Sequence, residues 1–167
     1  MFHLLLAGVA VWSAIIVIMI YIALIILFIY KIIAYIFESI GLTSIAKREN
    51  YSYPFIGWIP GLSHFIIGKY SSDGDDEKST SSGVIYALLT IIKIAFLIIV
   101  SQINIAQNSN YLLIILIYLA IYFVIDMIYM NKFYQKAYKH PIVFTFFTIV
   151  SIGLLKPIFI FASKGKK

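Results

Sequence analysis

From Leu4 to Tyr30 the chain runs 27 residues without a charge, and that run excludes most folds. A helix rises 1.5 Å per residue and crosses a hydrocarbon core of ~30 Å in about 20 residues. Within lipid the backbone can be satisfied only in a helix or a closed barrel, and a barrel strand takes just ~9–11 residues. The expectation is a membrane-spanning helix. A cleavable leader would have a basic start and about 7–15 apolar residues. Only His3 precedes this run, so the segment is expected to stay in the mature protein. Apolar character resumes after Lys31 through Ile32–Phe37 and fades at Glu38 and Gly41. This predicts a helix that overhangs the bilayer or tilts within it. Ala7, Gly8, Ala10, Ser13 and Ala14 crowd its start, and small residues of this kind let helix backbones approach closely in lipid.

The rest of the chain agrees. Hydrophobic residues make up 62% of the 167 and charged residues 12%, against roughly 45–50% and about 25% in soluble domains. Further apolar runs at residues 84–105, 111–130 and 141–162 complete the fold class: an all-α integral membrane protein with about four transmembrane helices, forming a single membrane domain. Residues 84–105 and 111–130 are expected as an antiparallel hairpin joined by the uncharged turn through Gln107 and Asn110. The last run is interrupted at Lys156-Pro157, where it could turn back instead of crossing. No internal repeat is visible.

Between the first and second spans lies a segment of different character, residues 45–69. It opens on Lys47 and Arg48, passes Tyr51, Tyr53, Phe55 and Trp58, and is broken by Pro54, Gly57, Pro60 and Gly61. Aromatic rings with a polar edge settle at headgroup depth, and cations beside them pair with phosphate or stay in water. The segment is expected to lie on one leaflet or dip into it. Lys47, Arg48, Tyr51, Tyr53, Phe55, Trp58 and Pro60 are its candidate partner-binding or anchoring residues. Residues 71–83 then read as a mobile polar linker. Its Asp73, Asp75, Asp76 and Glu77 lack the glycine and glutamate that a calcium loop requires at its sixth and twelfth positions.

Several function classes drop out. There is no cysteine, hence no disulfide, thiolate metal site, cysteine nucleophile or lipid on sulfur. The net charge is +6, but the cations flank apolar runs, which sets orientation and does not indicate nucleic-acid binding. His3, His64 and His140 have no metal-ligand spacing. Ser63 beside His64 lacks the surroundings of a nucleophile elbow, and no phosphate-cradling loop occurs. No catalytic residue, cofactor or metal is expected. Two charges stand out inside the expected hairpin, Lys93 and Asp126. A charge at mid-bilayer costs about 2.5–3.5 kcal/mol, and from a turn near Asn108 the two sit at similar depths. They are expected to form a buried ion pair; the alternative is a proton or ion relay, or a counter-ion for a substrate.

Ala46-Lys47-Arg48, then Pro54-Phe55-Ile56-Gly57-Trp58-Ile59-Pro60, then Gly68-Lys69 resembles a pattern of small uncharacterised multispan membrane proteins of low-GC Gram-positive bacteria. There a basic pair leads into a Trp-Ile-Pro turn and a Gly-Lys. The resemblance covers residues 45–69 and implies an architecture and a lineage, without an activity. The resulting expectation is a non-enzymatic protein of the bacterial inner membrane. It would be an accessory, regulatory or immunity-type partner of another membrane or exported protein, or a homo-oligomer. A small transporter or channel subunit using Lys93 and Asp126 is the alternative. By the positive-inside rule the N-terminus lies outside and the basic loops in the cytoplasm.

Overall fold

A computed structural model describes residues 2–102 and 109–165. Among them the elements are helical throughout: α1 (Phe2–Arg48), α2 (Ser63–Ser71), α3 (Asp76–Ser101), α4 (Ser109–Ala137), α5 (Pro141–Val150) and α6 (Lys156–Ala162), with short 3-10 turns at Pro54–Trp58 and Ser163–Gly165. Three helices are long and apolar enough to cross a membrane: Trp12–Arg48, Asp76–Ser101 and Tyr111–Ala137. The turn expected through Gln107 lies outside the described residues, apart from Ser109 and Asn110, which already belong to α4. The chain forms two units, one ending at Ile36 and one beginning at Phe37.

In the first unit, every side chain from Trp12 to Ile29 is exposed. Ser13 and Ala14, from the proposed close-packing face, are among them.

The second unit begins with the end of α1, which runs past the expected surface overhang to Arg48. Its stop is built locally. Asn50 adopts φ 56°, the Tyr51 amide donates to the Ala46 carbonyl at 2.9 Å and the Asn50 amide to Lys47 at 3.2 Å. That is a Schellman closure, with asparagine in the left-handed position it tolerates. The aromatic segment outside helix therefore starts at Glu49, four residues after Ile45.

The polar linker is shorter than residues 71–83 suggested. α2 ends at Ser71 and α3 starts at Asp76, so only residues 72–75 of the hydrophilic stretch lie outside helix. Asp76 and Glu77 stand in the first turn of α3, where carboxylates complement the helix dipole. Asp73 pairs with Lys136 at 3.1 Å and Asp76 with Lys69 at 3.8 Å. These pairs give the acidic cluster a role as a seam between elements. Ser79 and Gly83 of this stretch are buried because α2 crosses there. A Cβ on Gly68 would stand 2.8 Å from the Ser82 carbonyl oxygen and 2.9 Å from Gly83 Cα, an approach that only glycine permits.

The final apolar run, residues 141–162, is not one helix. α5 stops at Val150 after ten residues, about 15 Å, or half the thickness of the core. The Gly153 amide donates to Thr148 at 2.8 Å and the Ile152 amide to Ile149 at 2.9 Å, a second Schellman closure. Here Ile152 takes the left-handed position at φ 51°, with Gly153 following at φ 80°. The chain thus turns just before Lys156, and Pro157 falls in the first turn of α6, where no amide is needed.

The core of this unit joins Leu42, Ile45, Ile66, Ile67, Phe133 and Ile160 to a group of buried tyrosines, Tyr70, Tyr86, Tyr134 and Tyr138. Tyr134 donates to Thr148 at 2.9 Å, since the Thr148 hydroxyl itself donates to Phe144. Tyr138 donates to the Phe159 carbonyl at 2.5 Å and stacks on Phe144 at 3.8 Å. These contacts hold α5 and α6 to α4.

Candidate functional site

The polar groups gather around Asp126. Its carboxylate receives the Lys156 ammonium at 2.8 Å and the hydroxyl of Tyr86, and the two charged side chains are only 13% and 10% exposed. Tyr86 is fully buried, stacked on Tyr129 at 4.0 Å and met edge-on by the His64 ring at 5.0 Å. One helical turn further on, the Thr90 hydroxyl donates to the Tyr86 carbonyl at 2.9 Å. With its proton so used, Thr90 accepts from Tyr122 at 3.0 Å. The Lys93 ammonium lies 3.9 Å from the centre of the Tyr122 ring, within cation–π range. Glu38, on the end of α1, acts electrostatically on Lys156 as a second carboxylate.

The ion partner that the structure gives Asp126 is therefore Lys156, where the sequence pointed to Lys93. The reasoning from depth within one hairpin considered only α3 and α4. The turn at Ser151–Leu155 brings the start of α6 back to Asp126, and with it a third charge, Lys156. The sequence signal was the lysine interrupting an apolar run; what it lacked was the direction of the chain on either side. Lys93 instead lies over the face of the Tyr122 ring.

The network does three things chemically. It compensates a buried carboxylate with an ammonium and a phenol, so neither charge is left unpaired at the several-kcal/mol cost of burial. It pins α6, through Lys156, to α4 and α3. It also sets a phenol, a carboxylate and an ammonium in one hydrogen-bonded group, with the His64 ring packed edge-on against the phenol. Burial and the positive charge of Lys156, opposed by Asp126, push the His64 imidazole down to about 3, so this ring is neutral. Ser63 approaches His64 Nδ1 at 3.4 Å, longer than an activated hydroxyl requires. Among the described residues no group of three His, Cys, Asp or Glu side chains could hold a metal.

The second candidate site is the aromatic segment, and its residues divide. Tyr53, Phe55 and Trp58 are 62%, 60% and 45% exposed, with the first two rings edge to face at 6.2 Å. Gly57 in the same turn is buried, and a Cβ there would stand 2.7 Å from Thr43 Oγ1. Pro54 opens the turn and Pro60 follows it. Arg48 faces inward, donating to Glu49 at 3.0 Å and to the Tyr70 hydroxyl at 3.2 Å. Tyr51 is half-buried beneath Lys69, whose ammonium is 4.7 Å from its ring; burial, then the Glu49 charge, push its hydroxyl up. Lys47 is exposed. Arg48 and Tyr51 thus brace the turn, and three rings project from it. Comparison with protein-family models, curated proteins and solved structures finds no match for this chain.

Proposed function

We propose that this chain is a non-enzymatic multispan protein of a bacterial inner membrane that binds another membrane or exported protein through Tyr53, Phe55 and Trp58, in an accessory, regulatory or immunity-type role. The observation that carries this reading is the exposure of three rings on a turn whose own backbone is packed at Gly57 and flanked by prolines. Rings held so lose little freedom on binding, which is how aromatic anchors concentrate affinity. The bacterial lineage rests on the resemblance of residues 45–69.

The topology that goes with it has α1, α3 and α4 crossing the bilayer and α5–α6 entering and returning within one leaflet. Lys47 and Arg48, Lys132 to Lys139, and Lys164 then share the cytoplasmic side, as the positive-inside rule favours. Four full spans would put Lys164 outside.

Affinity capture from membranes tests the function. Phe55→Ala and Trp58→Ala are each expected to cut partner recovery about thirtyfold, as loss of 2 kcal/mol at a hot spot does. Equal recovery from wild type and both variants, at equal expression, removes the reading. In the same cells Lys164→Cys is expected to resist labelling from outside; labelling there would restore the fourth span. One observation favours a second reading, a small ion or proton carrier: the buried hydrogen-bonded group of Tyr86, Asp126 and Lys156. Ion flux in liposomes that is abolished by Asp126→Asn would establish it, and tight liposomes would exclude it.

A further inference from the structure

Between α4 and α5 lies a groove of about 580 Å³ that neither candidate site uses, walled by Val124 and Ile128 on one side and Ile142, Phe146 and Ile149 on the other. Its polar lining is confined to Asn131 and Thr145. These are engaged with each other: the Thr145 hydroxyl lies 3.0 Å from Asn131 Oδ1 and 3.1 Å from the Pro141 carbonyl oxygen, sharing one proton between them. Such a lining suits hydrocarbon and offers little to a polar solute, which needs convergent free donors and acceptors.

We propose that this groove binds one acyl chain of an anionic phospholipid. Length is the first argument. From Phe123 to Asn131 the α4 wall advances eight residues, about 12 Å, which fits within one leaflet of a ~30 Å core. α5 is itself only about 15 Å long, so the groove ends where a leaflet ends.

Charge supplies the second. Val124 and Ile128 are four residues apart on one helical stripe, and the next position on it is Lys132, which is exposed. Lys139 and His140, also exposed, stand in the connection that leads into Ile142 on the opposite wall. The apolar groove therefore opens, at the Asn131 end, beside Lys132 and Lys139 at the level where a lipid phosphate would sit. A cation at headgroup depth attracts anionic lipid, whereas an apolar helix of another protein gains nothing from it. The site is independent of partner binding at the aromatic turn.

Native mass spectrometry of the full chain in mild detergent tests this, with phosphatidylglycerol and phosphatidylcholine of identical acyl chains as probes. Wild type is expected to retain one phosphatidylglycerol per chain in preference to phosphatidylcholine. Lys132→Gln should lower that preference about fivefold, the effect of one lysine near an anionic surface, and Lys139→Gln should lower it further. Lys78→Gln, on the distant first turns of α3, should leave it unchanged. Ile142→Trp, which fills the groove from an exposed position, should reduce retention of both lipids. All four changes are at exposed residues, and an unaltered melting temperature shows that the fold is kept. Equal retention of the two lipids by wild type overturns the proposal. So does Lys132→Gln behaving as Lys78→Gln, or a lipid-free dimer cross-linked through Ile128→Cys.

Discussion

α1 is one helix with two characters. From Trp12 to Ile29 it presents large aliphatic and aromatic side chains, all exposed, while from Phe37 to Arg48 the same helix buries Ser39, Gly41, Leu42, Ile45 and Ala46. The more hydrophobic stretch is the one that is not packed. In lipid, apolar surface gains nothing by leaving one hydrocarbon for another, so helices associate where small residues allow close approach and polar groups need partners. The second stretch has both. At Gly41 a Cβ would stand 2.7 Å from the Ile160 carbonyl oxygen, and the Glu38 carboxylate acts electrostatically on Lys156.

The largest effect that tests this contrast is expected at the ion pair. Asp126→Leu or Lys156→Met alone strands a buried charge and should cost about 3–5 kcal/mol, while the double variant recovers most of the loss. Thermal melting in detergent reads it. Additive losses would mean that the pair does not carry the packing of α6, and an equal loss from Lys93→Met would return Asp126 to the partner expected from sequence.

Close approach comes next. Gly68→Ala forces a Cβ against the Ser82 carbonyl oxygen at 2.8 Å and should cost about 1–3 kcal/mol. Ile25→Ala, at a side chain 58% exposed, should change the melt by less than about 0.5 kcal/mol. A reversal of that order would show that the first stretch of α1 is packed in solution.

A smaller effect than that of the ion pair is expected from pH. His64 is held down to about 3 from an ordinary 6.5, chiefly by burial and then by Lys156. The unfolded chain takes up a proton as the pH falls through its ordinary value, and the folded chain does not until near 3. Stability is therefore whole above that ordinary value and declines below it, by about 1 kcal/mol at pH ~5.5. His64→Gln should flatten the decline; a slope that survives the change belongs to another group.

A break in the helix at Pro54–Trp58 was legible before the structure, because prolines and glycines in that order cannot continue one. The division of labour within it was not. Arg48 and Tyr51 look like surface residues in sequence, and become braces only because Tyr70 and Lys69 of α2 fold back over them. The extent of the acidic linker was misread for a related reason. Its composition is that of a loop, but α2 lies across Ser79 and Gly83 and makes helix the better state.

What the sequence determined by itself was how much apolar helix the chain carries: 27 uncharged residues followed by further apolar runs give helices long enough to cross a bilayer, where lipid offers no partner for an exposed backbone. It also marked Lys93 and Asp126 as charges that would be costly there, and Lys156-Pro157 as a break in the last apolar run. Which of these would meet was decided by the tertiary structure. A left-handed Ile152 and Gly153 reverse the chain halfway through its last apolar run and carry Lys156 to Asp126. Hydrophobicity fixes how much chain enters a membrane, whereas the pairing of its charges depends on where the backbone turns.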